Sequence, residues 1–269
     1  MNTAFLRAAF RYSQRMNRKR VGIIGCGSIG AVLARSVVAS PSLELAFVFS
    51  RTDARLKEVP QHLRITALEE VAARAADLVV EAAHSDLVKA VAVKLVEKSD
   101  LMLFSVTALA DDAFREELKK AAVRSGHRVF LPHGAIVGID GLVDAGPTLQ
   151  SVTITTTKSP ASLGLPPQDY KVVYDGPTRG ACERFPRNVN VHAMIALAGL
   201  GFDRTVSRIV ADPKVNTNSH LVEVGGTGYR FKIEVSSEAG GKVTGAYTPQ
   251  SAVSALERVC SEQGGYRFV

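Results

Sequence analysis

The sequence predicts an α/β fold: a doubly wound parallel sheet followed by a second α+β domain built on a mostly antiparallel sheet. Three observations carry that expectation. From Arg20 to Leu131 short apolar runs alternate with amphipathic stretches, the pattern of successive βαβ units around a buried parallel sheet. The first apolar run ends in a glycine pattern, Gly25-x-Gly27-x-x-Gly30, that opens the first helical stretch. Beyond Pro132 the period changes to two, as in S-V-T-I-T-T-T-K-S from Ser151 to Ser159, the mark of a strand with one buried face.

Taken in order, the runs Val21 to Ile24, Leu45 to Phe49, Leu78 to Ala82, Leu101 to Val106 and Arg128 to Leu131 have the length and apolar content of buried strands. Helices are expected between them at Ser28 to Ala39, Leu68 to Ala75, Asp86 to Lys98 and Asp111 to Arg124. The last two are rich in Ala, Leu, Lys and Glu and open on Asp, which suits the positive end of a helix. The second half adds expected strands at Tyr170 to Tyr174, Val206 to Val210, His220 to Val224, Tyr229 to Val235 and Lys242 to Tyr247. Helices are expected there at Val191 to Leu200 and Pro249 to Val259.

The 269 residues carry a formal charge of +7, which by itself would invite a nucleic-acid reading. Its location argues against one. Arg7, Arg11, Arg15, Arg18, Lys19 and Arg20 stand in the first twenty residues with no Asp or Glu, so seven less six leaves about +1 for the rest. Residues 1–20 are expected to be a disordered basic leader. They read either as a mitochondrial presequence or as an extension before an effective start at Met16; the location expected is cytoplasmic, with mitochondrial as the alternative. No apolar stretch approaches the ~18–20 residues of a membrane span. Cys26, Cys182 and Cys260 are far apart and form no C-x-x-C pair, so reduced thiols and no metal site are expected. Metalloprotease, α/β-hydrolase and P-loop motifs are absent from the sequence.

The glycines have separate tasks in a dinucleotide-binding loop. Gly25 makes a tight turn, Gly27 lets backbone approach a pyrophosphate, and Gly30 permits helix-to-strand packing. The phosphates would then meet unpaired N–H groups at the helix N-terminus. At the end of the second strand, where an acidic residue would hold the ribose 2′-OH of NAD, the chain reads Ser50-Arg51-Thr52. A hydroxyl followed by a guanidinium suits a 2′-phosphate, so NADP is favoured over NAD. In the alternative, Arg51 is a solvated loop residue and Asp53 reaches the ribose.

Three further stretches stand out: G-A-I-V-G-I-D-G from Gly134 to Gly141, F-P-R-N-V-N-V from Phe185 to Val191, and A-D-P-K-V-N-T-N-S-H from Ala211 to His220. Asn188 and Asn190 precede a helix, so one is expected to be its N-cap and the other to offer an amide to a ligand. Histidine is the natural proton shuttle near neutral pH, and His84, His133, His192 and His220 compete for that role.

These motifs, with V-V-E-A-A from Val79 to Ala83 and K-S-P-A-S-L-G-L from Lys158 to Leu165, resemble those of the L-aspartate dehydrogenase family from about Val21 to the C-terminus. The resemblance implies a Rossmann dinucleotide-binding domain over 21–133 and an α+β substrate and dimerisation domain over 134–248. A helix at 249–262 would return to the first domain, and the protein would be a homodimer. It implies oxidation of L-aspartate with NAD(P) to iminoaspartate, which yields oxaloacetate and ammonia or feeds NAD biosynthesis. Carried over by position, His220 is the catalytic histidine, Ser28 and Ile29 touch the pyrophosphate, and Ala82, Ala83 and His84 line the cofactor cleft. Ala135 and Asn190 contact the nicotinamide side. Two positions depart from the family: Ser50, where some members have an acidic residue, and His192, where Ala is frequent.

The two carboxylates of such a substrate need cationic or amide partners, for which Lys158, Arg187 and Asn188 are candidates. Ordinary surface charges are the alternative for Lys158 and Arg187. Two other functions compete. One is a related two-domain reductase of another amino acid or imine; the sugar-oxidising branch is disfavoured because Ser105-Val106-Thr107 stands where those relatives carry E-K-P. The other is a silent NADPH-binding regulator, which would be expected to lack the site histidine.

Overall fold

Six strands build the first sheet: β1 (Lys19–Ile24), β2 (Leu43–Phe49), β3 (Arg64–Ile65), β4 (Leu78–Glu81), β5 (Asp100–Leu103) and β6 (Val129–Phe130). The computed structural model describes residues 18–166, 169–238 and 245–261. Every pairing in this sheet is parallel, and the spatial order is β3-β2-β1-β4-β5-β6. The order reverses between β1 and β4, so the loops leaving these neighbours diverge and open a crevice at their C-terminal ends. Helices α1 (Ser28–Ala39), α2 (Ser85–Val96) and α3 (Asp112–Ser125) cover the sheet.

Local chemistry explains the helix limits. Asp111 caps α3 by accepting from the Phe114 N–H at 3.1 Å, and Gly126 ends it in the left-handed region at φ 73°. His84 caps α2 through Nδ1, which accepts from the Leu87 N–H at 3.3 Å. Leu33, Ala34 and Val37 of α1 are buried against Val21, Ile23 and Val48 of the sheet.

The second sheet comprises β7 (Leu149–Lys158), β8 (Lys171–Pro177), β9 (Val206–Ala211), β10 (Thr217–Gly226) and β11 (Tyr229–Glu238), in the order β11-β10-β7-β9-β8. Three of its four pairings are antiparallel and β7 with β9 is parallel. Before, between and after these strands come α4 (Ile139–Ala145), α5 (Thr178–Arg184), α6 (Asn190–Ala198) and α7 (Tyr247–Cys260). Ile154, Val222 and Val224 form a core of their own with Ile195 of α6. Ala193, Met194 and Ala196 of the same helix pack into the cluster that holds α2 and α3. Ala252, Ala255 and Leu256 of α7 join the cluster around β1 and α1. No helix among the described residues is long and apolar enough to cross a membrane.

The structure departs from the sequence reading in several places. β5 stops at Leu103 instead of continuing to Val106, because the Ser105 N–H and Oγ turn onto the Glu81 carboxylate and Val106–Ala110 winds into a 3-10 helix. Leu68–Ala73 is likewise 3-10 and not α. Helices α4 and α5 are short and lie where no element had been expected. The expected strand at 242–247 falls mostly outside the described residues, as do residues 1–17 of the basic leader and 262; Tyr247 opens α7. Lys19 and Arg20, expected in a disordered leader, are the first residues of β1, paired with Leu43 and Glu44 of β2.

Glu81 ties the switch point together. Its buried carboxylate accepts from Ala83 N–H at 2.6 Å, Ser105 N–H at 3.1 Å and Ser105 Oγ at 2.7 Å. Burial raises its pKa against the opposing pull of these donors. Glu81→Ala would strand two backbone donors and is expected to lower stability by about 2–4 kcal/mol in denaturant unfolding; a change within experimental error would show that the clasp carries no weight.

Candidate active site

Where β1 and β4 part, the two halves of the chain enclose a cavity of about 560 Å³. The glycine loop forms one wall. Gly25 donates to the Phe49 carbonyl at 2.8 Å with φ 97°, and a Cβ there would lie 2.6 Å from the Ala82 oxygen. A Cβ on Gly30 would stand 1.9 Å from the Gly25 oxygen, so the helix closes against the loop itself, with Ile23 of β1 behind. Around Gly27 there is nothing within 4 Å of a hypothetical Cβ. Gly27 is also the N-cap of α1, with no side-chain cap and no acidic residue in the first turn. Open space in front of uncapped N–H groups is the cradle a pyrophosphate requires, so these residues fit a dinucleotide.

The second wall comes from the loops after β2 and β4. Ser50 is buried, its Oγ donating to the Thr52 carbonyl at 3.2 Å and accepting from the Thr52 N–H at 3.3 Å. That turn leaves Arg51 on the cavity wall together with Arg55. Asp53 does not line the cavity; it faces Arg64 at 3.7 Å. Ala82, Ala83 and His84 follow β4 along the wall. The His84 pKa is lowered by burial and then by the Arg51 charge, and its Nε2 is buried without a partner among the described residues.

Opposite lie residues from the second half. Strand parity sets them: along β7 Val152, Ile154, Thr156 and Lys158 are buried, and along β10 Asn218, His220, Val222 and Val224 are. His220 pairs directly with Thr156 across the sheet, and its Nδ1 lies 2.8 Å from Thr156 Oγ1. His220 borders the cavity and Thr156 does not, so Nε2 is the nitrogen turned toward the cavity. Burial, followed by the Lys158 cation, lowers the His220 pKa to about 3. Lys158 is only 3% exposed, and burial brings its pKa down to about 8. It is no ordinary surface charge.

Asn190 is the first residue of α6, and its Oδ1 accepts from the N–H and the Oγ1 of Thr107, at 3.1 and 3.2 Å. What it can offer a ligand is its NH2. Neither asparagine is the N-cap: that position is Val189, which makes no side-chain cap. Arg187 and Asn188 line the cavity, and the buried Asn188 Oδ1 has no partner among the described residues. Ala135 lies on the wall near His133 and Gly134, whose carbonyl accepts from Ser251 Oγ at 2.5 Å.

Of the candidate site residues drawn from the sequence, Gly30, Asp53 and His192 stand off the cavity wall and the others border it. Sequence reasoning missed Thr107, which holds Asn190, and Thr156, which holds His220. The period-two pattern of β7 carried the signal for Thr156 and for the burial of Lys158, since both share the parity of Val152 and Ile154.

Comparison with known proteins follows the same division. A family model for the C-terminal region of aspartate dehydrogenase matches residues 140–259, and one for the NAD-binding domain of homoserine dehydrogenase matches 25–132. An L-aspartate dehydrogenase of Nitrosopumilus maritimus is 33% identical over 91% of this chain and 97% of its own. The chain belongs to the aspartate dehydrogenase family. An aspartate dehydrogenase domain-containing protein of Xenopus tropicalis is 34% identical over 94% of this chain and 98% of its own. The solved aspartate dehydrogenase of Thermotoga maritima superposes with a TM-score of 0.75 at 29% identity, covering 93% of this chain and all of that one. Membership makes this chain an oxidoreductase, an amino-acid dehydrogenase that works with a nicotinamide cofactor.

A buried amine beside a neutral imidazole should titrate apart from surface lysines. In a ligand-free pH titration by NMR of isotope-labelled lysine side chains, one resonance, lost in Lys158→Met, is expected to have its midpoint near 8. A Lys158 midpoint in the ordinary lysine range near 10.4 would contradict the burial argument.

Proposed function

We propose that this chain is an L-aspartate dehydrogenase that favours NADP over NAD, with His220 as the acid/base and the reaction reversible. Residues 21–133 hold the dinucleotide and 134–248 hold the substrate and form a homodimer. The observation that carries the reading is the single cavity in which a phosphate cradle at Gly27, an arginine at the end of β2, a buried ammonium and the His220 ring converge. The regulator alternative is disfavoured because His220 is present, with Thr156 Oγ1 at 2.8 Å from its Nδ1.

When bound, the nicotinamide accepts the hydride that leaves the substrate Cα. The chain supplies the rest. Gly25, Gly27, Ser28 and Ile29 hold the phosphates by backbone, and Ala82, Ala83, His84, Ala135 and the Asn190 amide orient the remainder of the dinucleotide. Lys158 receives one substrate carboxylate in a dry site where an ion pair counts for more than at the surface; Arg187 and Asn188 stand ready for the other. The substrate amine must be neutral before hydride can depart, so the ammonium proton passes to His220 Nε2 and leaves the free amine. Its nitrogen lone pair forms the C=N bond of protonated iminoaspartate as the Cα–H bond gives up its hydride. Hydrolysis of the imine gives oxaloacetate and ammonia. Burial, and after it the Lys158 cation, holds the His220 pKa at about 3, and a dianionic substrate would raise it toward a value useful for proton transfer.

Two variants test this reading. His220→Ala is expected to cut turnover by about 10²–10⁴-fold while NADP binds within about tenfold of wild type; full activity would refute the catalytic role. Arg51→Ala is expected to raise KM for NADP by about tenfold and leave NAD within about twofold, as befits loss of a charge-assisted contact to the 2′-phosphate. Equal losses with both cofactors would refute the assignment of Arg51.

A further inference from the structure

Behind His220 runs a line of buried polar side chains that takes no part in lining the cavity. Thr156 Oγ1 lies 2.8 Å from His220 Nδ1 and 2.6 Å from His192 Nε2. His192 Nδ1 lies 2.9 Å from Ser207 Oγ, which lies 2.8 Å from Thr178 Oγ1. Thr178 Oγ1 is 3.0 Å from the Thr205 carbonyl. The members come from β7, α6, β9, α5 and β10. His192, Ser207, Thr178 and Thr205 are 0% exposed, so water cannot compete for these contacts.

At the far end the Thr205 carbonyl accepts from Thr178, whose N–H lies at 2.9 Å and whose Oγ1 lies at 3.0 Å, and a hydroxyl proton placed on that carbonyl orders the rest of the line. With its hydroxyl proton on the Thr205 carbonyl, Thr178 accepts from the Ser207 hydroxyl. Ser207, having donated its one proton, accepts from His192 Nδ1–H. A neutral imidazole with its proton on Nδ1 is an acceptor at Nε2, so Thr156 donates there and in turn accepts from His220 Nδ1–H. His220 Nε2 is left as a bare lone pair at the cavity. Both imidazoles are neutral, because burial and the neighbouring Lys158 charge lower their pKa values.

We propose that Thr156, His192, Ser207 and Thr178 form a one-way hydrogen-bond relay that locks His220 into the Nδ1–H tautomer and so makes its cavity-facing Nε2 a proton acceptor. His192 is the central positioning residue. This inference rests on the reading of His220 as the acid/base, and it assigns to a backbone carbonyl the orienting task that a carboxylate performs in many catalytic histidine sites. If the relay is cut between His192 and Thr178, nothing dictates the His192 tautomer. Its Nε2–H form would donate to Thr156, Thr156 would donate to His220 Nδ1, and the His220 proton would move to Nε2, where it blocks the base.

Ser207→Ala makes that cut, remote from substrate and with the loss of a single oxygen. Thr178→Ser is the matched control, since it trims a methyl but keeps the relay hydroxyl. Long-range ¹H–¹⁵N correlation spectra of histidine-labelled protein at neutral pH report which ring nitrogen carries the proton, independently of turnover. In wild type and Thr178→Ser, His220 is expected to be protonated on Nδ1; in Ser207→Ala a substantial Nε2–H population is expected. Alongside this, kcat for Ser207→Ala should fall about tenfold or more with little change in KM, because the ground-state contacts are untouched. The proposal is overturned if wild-type His220 carries its proton on Nε2, or if Ser207→Ala alters neither tautomer nor kcat. An Nδ1–H signal that responds to Ser207→Ala in an enzyme whose His220→Ala variant remains active would leave the relay standing and defeat the catalytic reading.

Discussion

The register between β7 and β10 is the constraint on which the site depends. Opposite faces of a strand alternate residue by residue, so a slip of one position would send every inward side chain to solvent. Val152 and Ile154 on one strand, and Val222 and Val224 on the other, must be inside. That requirement carries Thr156 and Lys158, Asn218 and His220 inside with them, at the end of the sheet that meets the cavity. The apolar half of each strand thus offsets the cost of desolvating the polar half.

Desolvation then sets the chemistry. Burial disfavours the charged form of both groups, so Lys158 gives up its proton sooner than a surface lysine, and His220, with the Lys158 cation as a further cause, stays neutral. On the opposite wall the same exclusion of water works through backbone. Gly25 and Gly30 are held by contacts that a Cβ would break, whereas nothing stands within 4 Å of a Cβ built on Gly27, which leaves the room that the proposed phosphate site needs. The Glu81 clasp joins these regions, fixing the Ala83 and Ser105 backbones on either side of the crevice.

Much of this was legible in the sequence. The alternation of apolar runs and the three glycines foretold a doubly wound sheet and the crevice at its switch point, and the residues chosen from motif resemblance lie around one cavity. Other features were hidden for physical reasons. The early end of β5 depends on a carboxylate 24 residues away capturing the Ser105 N–H, which no local pattern records. The misjudged asparagine cap reflects Asn190 being claimed by Thr107, 83 residues earlier in the chain. Lys158 was readable from parity, but its charge suggested a surface position. The partners of His192 come from strands and helices scattered along the second half, so their alignment emerges only in three dimensions.

The account stands or falls on whether this cavity turns over a four-carbon amino dicarboxylate. Initial rates of cofactor reduction, followed at the absorbance of the reduced nicotinamide with L-aspartate, L-glutamate, L-alanine and L-lysine and with NAD and NADP in turn, test that directly. The expected result is reduction with L-aspartate at a kcat/KM well above the other amino acids, and higher with NADP than with NAD. Reduction with another amino acid in preference to aspartate, or none with any of them, would contradict it.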